Sequence, residues 1–443
     1  MSAPAVRSAR WLRSVAEDLH GLRVLSARLP RWHHAAAGAH DPCRDGQRRS
    51  ELATRLGRPA RTAGGGAPSA GTPRRRRCLA GGLGPVLAAV SFLPPGAGAA
   101  GWTAMRVLSP IPTGSGAYVL HEQLASRIAD YRLRPYSPWW TLFPPALPLA
   151  GRGNADLVHA EAGYGIFFKR RGLPLVVTAH GYVSDRLMRA CSSRLQYLHY
   201  RTDLRLFTYL TLQQADRVVV VSEFLRNLIR RDLGIDRPVQ VIHNGVDEQR
   251  FVPAPPAHAA KRKSFRLLFC GNLRPAKGAG LLVPLAEALG EGFEICYTGG
   301  SSDAKASQAP SPRGAGRLVP LGRLAHADMP AVYHDVDALL VPSLREGFGL
   351  CVAEAMACGL PVVATNDSAL PELVQHGDGG LLCPANDVVA FANAVRMLAG
   401  SRADRVRMGE YNRARVEEHF TLDRMAEDYR RLFIEVIDGG AAG

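Results

Sequence analysis

Short apolar runs recur along most of the chain, and each is followed by a polar or glycine-containing loop and then by a stretch with helical periodicity. Between residues 105 and 250 the runs cover 106–109, 156–159, 173–179, 217–221 and 238–242. Between residues 265 and 420 they cover 266–270, 293–298, 318–321, 337–341, 360–364 and 380–383. Alternating apolar strands and helices predict parallel sheets that are covered on both faces. The predicted fold class is therefore α/β.

A polar, proline-rich segment interrupts this alternation once. Residues 251–264 contain three prolines and the basic run Lys261-Arg262-Lys263, a composition typical of a linker. We therefore predict a first domain over 105–250, a linker over 251–264 and a second domain over 265–420. Residues 421–437 predict a final helix with one apolar face, which should pack on a domain.

Residues 1–104 differ from the rest in composition. They contain sixteen arginines, no lysine and five acidic residues, a net charge of +11, and no periodic pattern persists in them. An apolar run at 78–93 follows four arginines, as in an anchor or targeting signal, but glycine and proline interrupt it and it is shorter than a membrane span. We predict a disordered basic extension or a non-native upstream segment in front of a true start at Met105, with a real signal as the alternative.

The remaining charge is modest. The whole chain carries +16, which leaves +5 for residues 105–443. That balance fits an anionic substrate or an anionic membrane surface as well as nucleic acid. The eight cysteines form no CxxC motif and have no metal-ligand spacing, and several lie in apolar runs. They predict buried free thiols in a reducing cytoplasm.

The stretch 341–373 has the pattern of an anion site. A buried strand ends at Val341, a glycine-bearing loop follows, and Leu350 begins a short helix. Unpaired amides and the helix dipole at such a junction favour a diphosphate, and glycines let a ligand approach the backbone. Glu346 and Glu354 flank the loop, and because phosphate would repel carboxylates, we expect both to face hydroxyl groups. Phosphates and hydroxyls together suggest a nucleotide that carries a sugar.

Other candidate residues follow strands in the same way. Gly114, Ser115 and Gly116 form a loop between a strand and a helix, where a phosphate site or a simple tight turn fits equally well. His180 comes directly after the strand 173–179, a position where ligands bind in parallel sheets. Arg274 and Lys277 lie in a loop after another strand, where cations can neutralise a diphosphate. Asp335-Val336-Asp337 resembles a metal-binding motif but leads into a buried strand, so we interpret it as structural.

Residues 185–215 combine five arginines with several aromatic side chains. Such a stretch could lie against an anionic membrane. An ordinary helix pair with its arginines on the solvent side is the alternative that we prefer.

One segment carries a specific family resemblance. Residues 346–364 contain an E-x7-E pattern from Glu346 to Glu354, continued by EAMA and PVVA. Together with Asn244-Gly245-Val246-Asp247, Lys277-Gly278 and residues 370–374, this segment resembles the family 4 glycosyltransferases, which are retaining enzymes of the GT-B fold. The resemblance covers residues 105–443.

The resemblance implies two Rossmann-like domains with parallel sheets that face a cleft. The first domain would hold the acceptor, the second would bind the donor, and the helix 421–437 would cross back to the first. His180 and Glu346 would be catalytic, with Glu346 on the sugar hydroxyls and Glu354 on the ribose. The implied donor-binding set is Arg274, Lys277, Gly347, Phe348, Gly349, Leu350 and Glu354. The implied acceptor or phosphate loop is Gly114, Ser115 and Gly116.

The implied reaction moves a sugar from a nucleotide sugar to a glycan, lipid-linked or small-molecule acceptor in cell-envelope or glycoconjugate biosynthesis. The nucleotide sugar would be a co-substrate, with no cofactor, no metal and no nucleic acid partner. We expect a cytoplasmic protein with peripheral contact at the inner face of the membrane. Many family members carry arginine after the glycine at 271, where this chain has Asn272, so Arg274 or Lys277 alone would supply that charge. The alternatives are a GT-B epimerase or phosphorylase, or an inactive GT-B binding subunit.

Overall fold

Two six-stranded parallel sheets form the framework of the molecule. The computed structural model describes residues 105–255, 263–299 and 314–440. The predictions for residues 1–104, and those for part of the linker, lie outside the described residues. None of the helices in the described ranges is long and apolar enough to cross a membrane.

The first sheet has the strand order β2-β1-β3-β4-β5-β6, and all of its neighbouring strands pair in parallel. Its strands are β1 (Val107–Pro112), β2 (Tyr131–Tyr136), β3 (Leu157–Glu161), β4 (Leu175–Ala179), β5 (Arg217–Val220) and β6 (Gln240–Val241). The chain reverses its direction of travel across this sheet between β1 and β3. Loops at the carboxyl ends of these two strands therefore border a crevice where ligands bind in doubly wound folds.

Six helices accompany the first sheet. They are α1 (Gly116–Arg127), α2 (Leu147–Ala150), α3 (Met188–Cys191), α4 (Arg194–Arg201), α5 (Asp203–Gln214) and α6 (Glu223–Leu233). Helix α6 shows how the sequence sets these boundaries. Ser222 caps its N-terminus by accepting from the Leu225 amide, and Gly234 ends it in the left-handed conformation at φ +64°.

The second sheet has the order β12-β11-β10-β7-β8-β9, again entirely parallel. Its strands are β7 (Phe265–Phe269), β8 (Phe293–Thr298), β9 (Arg317–Gly322), β10 (Ala338–Val341), β11 (Val362–Thr365) and β12 (Gly380–Cys383). This is the doubly wound order in which the switch lies between the first and fourth strands, here β7 and β10.

Helices α7 to α12 follow in the second half of the chain. They are α7 (Leu282–Leu289), α8 (Met329–His334), α9 (Leu350–Ala357), α10 (Leu370–Leu373), α11 (Val388–Gly400) and α12 (Arg402–His419). The last helix, α13 (Leu422–Gly440), packs against the first sheet. Its buried Met425, Tyr429 and Phe433 share one hydrophobic core with Val107 of β1 and Leu120 of α1.

The described strands lie within two residues of the predicted apolar runs at both ends, with few exceptions. Strand β2 was not predicted, because its sequence YRLRPY contains no apolar run and half of its side chains are exposed. Asp337 accepts from the Arg266 amide at 2.8 Å, so the 335–337 motif has a structural role here. The described cysteines are free thiols, and Cys296, Cys358 and Cys383 are buried.

Candidate active site

The loops after β7 and β10 touch each other at the switch point of the second sheet. Gly278 has φ +73°, and a Cβ atom there would lie 2.0 Å from the carbonyl oxygen of Pro342. The Leu344 amide donates to the Ala276 carbonyl at 2.9 Å. A side chain at 278 would push the loops apart, so glycine is required for their contact. This contact brings Lys277 beside Glu346.

Lys277 and Glu346 form a two-pronged ion pair. The Lys277 Nζ lies 2.7 Å from Oε1 and 2.9 Å from Oε2 of Glu346. Burial lowers the pKa of Lys277, but the carboxylate charge of Glu346 and its hydrogen bonds outweigh this effect and raise the pKa above its ordinary value. Lys277 is therefore a persistent cation at the carboxyl end of the sheet, and the buried Glu346 carboxylate is its counter-ion.

Glu354 lies one turn into α9 and is buried. One carboxylate oxygen lies 2.8 Å from His326 Nε2, and the other accepts from the Tyr333 hydroxyl at 2.8 Å. Burial raises the pKa of Tyr333 well above its usual value, so this hydroxyl remains a donor. Each carboxylate oxygen has a second lone pair. Glu354 can therefore accept from a ligand hydroxyl while its two protein partners hold its orientation.

His180 occupies the first position after β4, as predicted, and is half-buried. Its Nε2 lies 3.1 Å from Nε2 of His121 on α1. Burial lowers the pKa of His180 to about 4, so the imidazole is neutral near pH 7. A neutral imidazole can donate from one nitrogen and accept at the other.

The loops that carry His180 and Glu346 meet at Gly347. A Cβ atom on Gly347 would lie 2.2 Å from the carbonyl oxygen of His180. The Ser222 hydroxyl donates to the Gly347 carbonyl at 2.7 Å. We expected this glycine to admit a ligand, but its nearest neighbour is the backbone of the other sheet's loop. Gly349 differs, because it has φ +104° and precedes the first residue of α9.

A cavity of about 550 Å³ lies between the two sheets. Five of the predicted residues line it, namely His180, Arg274, Lys277, Glu346 and Gly347. The wall on the side of the first sheet includes Tyr182, Met188, Gln196 and Tyr200. This volume is in the usual range for small-molecule sites. The cavity thus combines three cations, Arg274, Lys277 and Arg345, with one carboxylate, one histidine and an apolar and aromatic wall.

Other predicted residues lie away from this lining. Ser115 caps α1 by accepting from the Tyr118 amide at 3.1 Å, and a Cβ on Gly114 or Gly116 would meet nothing within 4 Å. Phe348 is buried in the core, and Leu350 packs against that core. Glu354 is buried next to His326 instead of on the cavity wall. The structure therefore brings five of the predicted residues into one cavity and leaves the others around it.

Two polar contacts that the sequence did not predict connect the halves of the cleft. Arg345 forms an ion pair with the buried Asp185, and its guanidinium lies 5.0 Å from the centre of the Phe224 ring. Glu372 of α10 accepts from the amides of Glu223 at 2.9 Å and Phe224 at 2.6 Å. A carboxylate at these amides satisfies unpaired donors and the positive end of the α6 dipole.

Glu161, the last residue of β3, is a further carboxylate at a strand end, beside the switch point of the first sheet. Burial raises its pKa to about 7. It was absent from the predicted site. Its position at the carboxyl end of an apolar strand was the sequence signal that could have identified it.

Models of known protein families match both halves of the chain. Residues 104–250 match "Glycosyltransferase Family 4", and residues 264–401 match "Glycosyl transferases group 1". The chain belongs to the family 4 glycosyltransferases. The first matched range contains the first sheet, and the second contains the second sheet. The cavity is lined by residues from both ranges.

Curated relatives of this family 4 chain are similar at moderate identity. The D-inositol 3-phosphate glycosyltransferase of Mycobacterium marinum is 29% identical over 270 residues, which are 57% of each chain. An uncharacterized glycosyltransferase of Methanocaldococcus jannaschii is 25% identical over 289 residues, 64% of this chain and 76% of that one. The chain thus spans little more than half the length of the first of these relatives.

Solved structures share the fold. Sucrose-phosphate synthase from Thermosynechococcus elongatus superposes with a TM-score of 0.63 at 19% identity, over 75% of this chain and 100% of that one. HepE from Anabaena, solved with UDP-glucose, gives a TM-score of 0.62 at 19% identity, over 75% and 100%. The family 4 chain therefore has the GT-B fold that the sequence predicted.

Proposed function

We propose that the protein is a retaining glycosyltransferase that moves a hexose from a nucleotide diphosphate sugar to a glycan, lipid-linked or small-molecule acceptor in cell-envelope or glycoconjugate biosynthesis. The observation that carries this proposal is the Lys277–Glu346 pair, which faces His180 across one cavity at the switch point of the second sheet. The UDP-glucose bound in HepE supports a nucleotide-sugar donor.

The parts of the site fit the charges of sugar transfer. When the anomeric carbon–oxygen bond breaks, the bond electrons pass to the departing diphosphate, and positive charge grows on the sugar. Lys277, Arg274 and the first amides of α9 can stabilise the diphosphate charge, and Glu346 and Glu354 can accept from sugar and ribose hydroxyls. These charges belong to the chain itself, so we propose the nucleotide sugar as a co-substrate without a further cofactor.

We propose same-face transfer because the carboxylate nearest the cation is already paired with it. The acceptor hydroxyl oxygen forms the new bond to the anomeric carbon on the side from which the diphosphate leaves. The hydroxyl proton passes to an oxygen of the departing diphosphate, so charge and atoms balance. Glu346 then acts on sugar hydroxyls and is not the covalent nucleophile that retaining glycosidases use.

A screen of UDP-, GDP- and ADP-sugars tests the proposal. One nucleotide family should raise the melting temperature of the full chain, and its sugar should be consumed with release of the nucleoside diphosphate. Lys277→Ala should lower that consumption at least about a hundredfold, because one charged stabiliser of the transition state is lost. Lys169→Ala is the matched control, since Lys169 contacts the Gln214 carbonyl away from the cavity. Binding without consumption would support the inactive binding subunit instead.

We also propose a peripheral contact with an anionic membrane through the segment 138–149. Several of its large apolar side chains are exposed, including Trp139 at 76%, Leu142 at 74% and Phe143 at 67%. Residues 131–155 contain three arginines and no acidic residue. Exposed aromatic residues beside basic ones favour the interface of an anionic bilayer. In the segment 185–215 we expected the arginines to lie on the solvent side. Arg205 differs from this expectation, because it is buried and pairs with Asp232.

Co-sedimentation with vesicles tests this contact. The full chain should sediment with vesicles that contain phosphatidylglycerol, and less with phosphatidylcholine alone. Trp139→Ala combined with Phe143→Ala should release it into the supernatant. Val389→Ala combined with Met397→Ala removes two equally exposed apolar side chains from α11 and should change nothing. Equal sedimentation of both double variants would exclude the segment 138–149 as the contact.

A further inference from the structure

A chain of buried polar side chains begins at His180 and leads away from the cavity. Its first link is the 3.1 Å contact between the Nε2 atoms of His180 and His121. On the other side of its ring, Nδ1 of His121 lies 2.7 Å from the Ser109 hydroxyl and 2.9 Å from the Tyr131 hydroxyl. All three of these partners beyond His180 are buried. Buried polar atoms are costly unless they are paired, and here each has a partner.

The chain continues through the sheet to the last helix. The Tyr131 hydroxyl lies 2.6 Å from Nδ1 of His159, and Nε2 of His159 lies 2.7 Å from the Thr178 hydroxyl. Thr178 is 3.0 Å from the hydroxyl of Tyr429 on α13. The rings of His121 and His159 stack with their centres 4.4 Å apart. Hydrogen bonds thus connect the cavity to a helix formed by the end of the chain.

The three histidines in this series of hydrogen bonds, His121, His159 and His180, are neutral near pH 7. Burial lowers the pKa of His121 and of His159 well below the ordinary value, and the neighbouring histidines lower both further. A neutral imidazole carries one N–H. In the contact between His180 and His121, one Nε2 therefore donates and the other accepts, and the choice fixes the tautomer of both rings.

The surroundings of His121 decide that choice. If its Nδ1 carries the proton, this proton faces two hydroxyl oxygens, and the Tyr131 proton remains available for His159. If Nδ1 carried a lone pair instead, it could accept from only one of the Ser109 and Tyr131 hydroxyls, and the other oxygen would face it at close range without a shared proton. Only the first arrangement makes both short contacts of Nδ1 attractive, and it leaves Nε2 of His121 as the acceptor and a proton on Nε2 of His180.

We propose that this buried chain holds His180 as its Nε2–H tautomer, so that Nδ1 presents a lone pair to a hydroxyl of the bound sugar. His121 is then a positioning residue, because it acts on the ligand only through His180. Across the described ranges no protein group bonds to Nδ1 of His180, and His180 lines the cavity. The identity of the ligand as a sugar rests on the proposed function, but the tautomer does not.

Nuclear magnetic resonance of the full chain with ring-¹⁵N histidine tests the tautomer directly. Between pH 6 and 8, Nδ1 of His180 should be unprotonated and Nε2 protonated, with His180→Asn used to assign the signals. The double variant Ser109→Ala/Tyr131→Phe removes both oxygens that face Nδ1 of His121, so the proton pattern of His180 should change. A protonated Nδ1 in the wild type, or an unchanged pattern in the double variant, would overturn the proposal.

Turnover of the nucleotide sugar tests the positioning role. The double variant should lose about tenfold in kcat, the effect of one net hydrogen bond, while its melting temperature shows that it is folded. Ser109→Thr/Tyr131→Phe keeps one hydroxyl and should recover most of the activity. Tyr164→Phe is the control, because it removes a half-buried hydroxyl that is not part of the hydrogen-bonded series. An unchanged kcat in the double variant would contradict the role, whereas a wild type without turnover would refute the proposed function and leave the tautomer measurable.

Discussion

At the scale of single residues, Gly347 sets the steric constraint where the loops of the two sheets meet. Its Cα faces the His180 carbonyl so closely that a methyl group would lie 2.2 Å from that oxygen. Such a distance is far below van der Waals contact, and the backbone atoms involved cannot rotate away. The approach of the two loops therefore depends on the absence of a side chain at this one position.

We predict that Gly347→Ala lowers kcat/KM for the nucleotide sugar by about a hundredfold, because a displacement of about 1 Å between the two loops disturbs the reacting geometry. The measurement is steady-state kinetics of nucleoside diphosphate release. Gly280→Ala is the matched control, since a Cβ at Gly280 would meet nothing within 4 Å and its φ is not positive. If both variants kept wild-type kinetics, the closeness of the loops would have no part in turnover.

Glu161 allows a prediction with a defined pH range. Burial raises its pKa from 4.5 to about 7, so the folded state favours the protonated form. The contribution of Glu161 to stability should therefore be lost as pH rises from about 4.5 to about 7, and Glu161→Gln should remove that contribution and its pH dependence. We expect the variant to melt above the wild type at pH 8 and at nearly the same temperature at pH 4.5. If the difference in melting temperature between variant and wild type were equal at both pH values, a buried, titrating Glu161 would be contradicted.

Several site residues could be predicted from sequence because each belongs to a local pattern. His180 and Lys277 lie in loops that follow apolar strands, and Glu346 belongs to a specific motif. His326 and Glu372 could not be predicted in the same way. Their partners Glu354 and Glu223 lie 28 and 149 residues away along the chain, and no local pattern encodes such a contact.

At the scale of elements, the N-terminus of α6 depends on a carboxylate from the other half of the cleft. Glu372 accepts from two of its amides, and His243 Nε2 lies 3.4 Å from the same carboxylate. Burial tends to raise the pKa of Glu372, but these hydrogen bonds outweigh it and lower the pKa below 4.5. Helix α6 is therefore both a part of the first domain and a docking point for α10.

We predict that Glu372→Gln destabilises the protein by about 1 kcal/mol at pH 7, as for the loss of a helix cap. Because the folded-state pKa is lowered, the stabilising effect is present above about pH 4.5 and disappears as pH falls below it. Melting temperatures of wild type and variant should accordingly converge in acid. If the difference between the two melting temperatures instead widened as pH falls, the charge of Glu372 would not stabilise the contact.

The strands were the elements that sequence predicted best, because fully buried parallel strands are continuous apolar runs. Strand β4 and strand β8 are examples, with burial along nearly their whole length. Strand β2 lies at the edge of its sheet and alternates arginine with apolar residues. Its register with β1 comes from pairing and not from its own pattern, so only the folded chain reveals it.

At the scale of the whole molecule, the buried histidines His121 and His159 and the half-buried His180, all neutral, make the first domain sensitive to acid. In the unfolded chain His121, His159 and His180 bind protons near pH 6.5, whereas burial lowers all three pKa values in the folded state. Stability from these groups is thus present above pH 6.5 and is lost progressively as pH falls toward 4.

We predict that the melting temperature of the full chain falls between pH 7 and pH 5, and that it falls less in His159→Phe because one of the three proton-binding groups is absent. Differential scanning fluorimetry across this range measures both. The slope of melting temperature against pH is compared, and not the melting temperature itself, because the variant also loses two hydrogen bonds. A slope in His159→Phe as steep as in the wild type would show that acid acts elsewhere.

Helix α13 also has a consequence for biosynthesis. Synthesis runs from the N-terminus, and domains often fold as they leave the ribosome. Here the core of β1 and α1 is completed by Met425, Tyr429 and Phe433, which are made more than 300 residues after Val107. The core of the first domain therefore stays incomplete, with one apolar face uncovered, until the last helix has left the ribosome. The second domain, although synthesised later, is the half of this protein that can finish folding first.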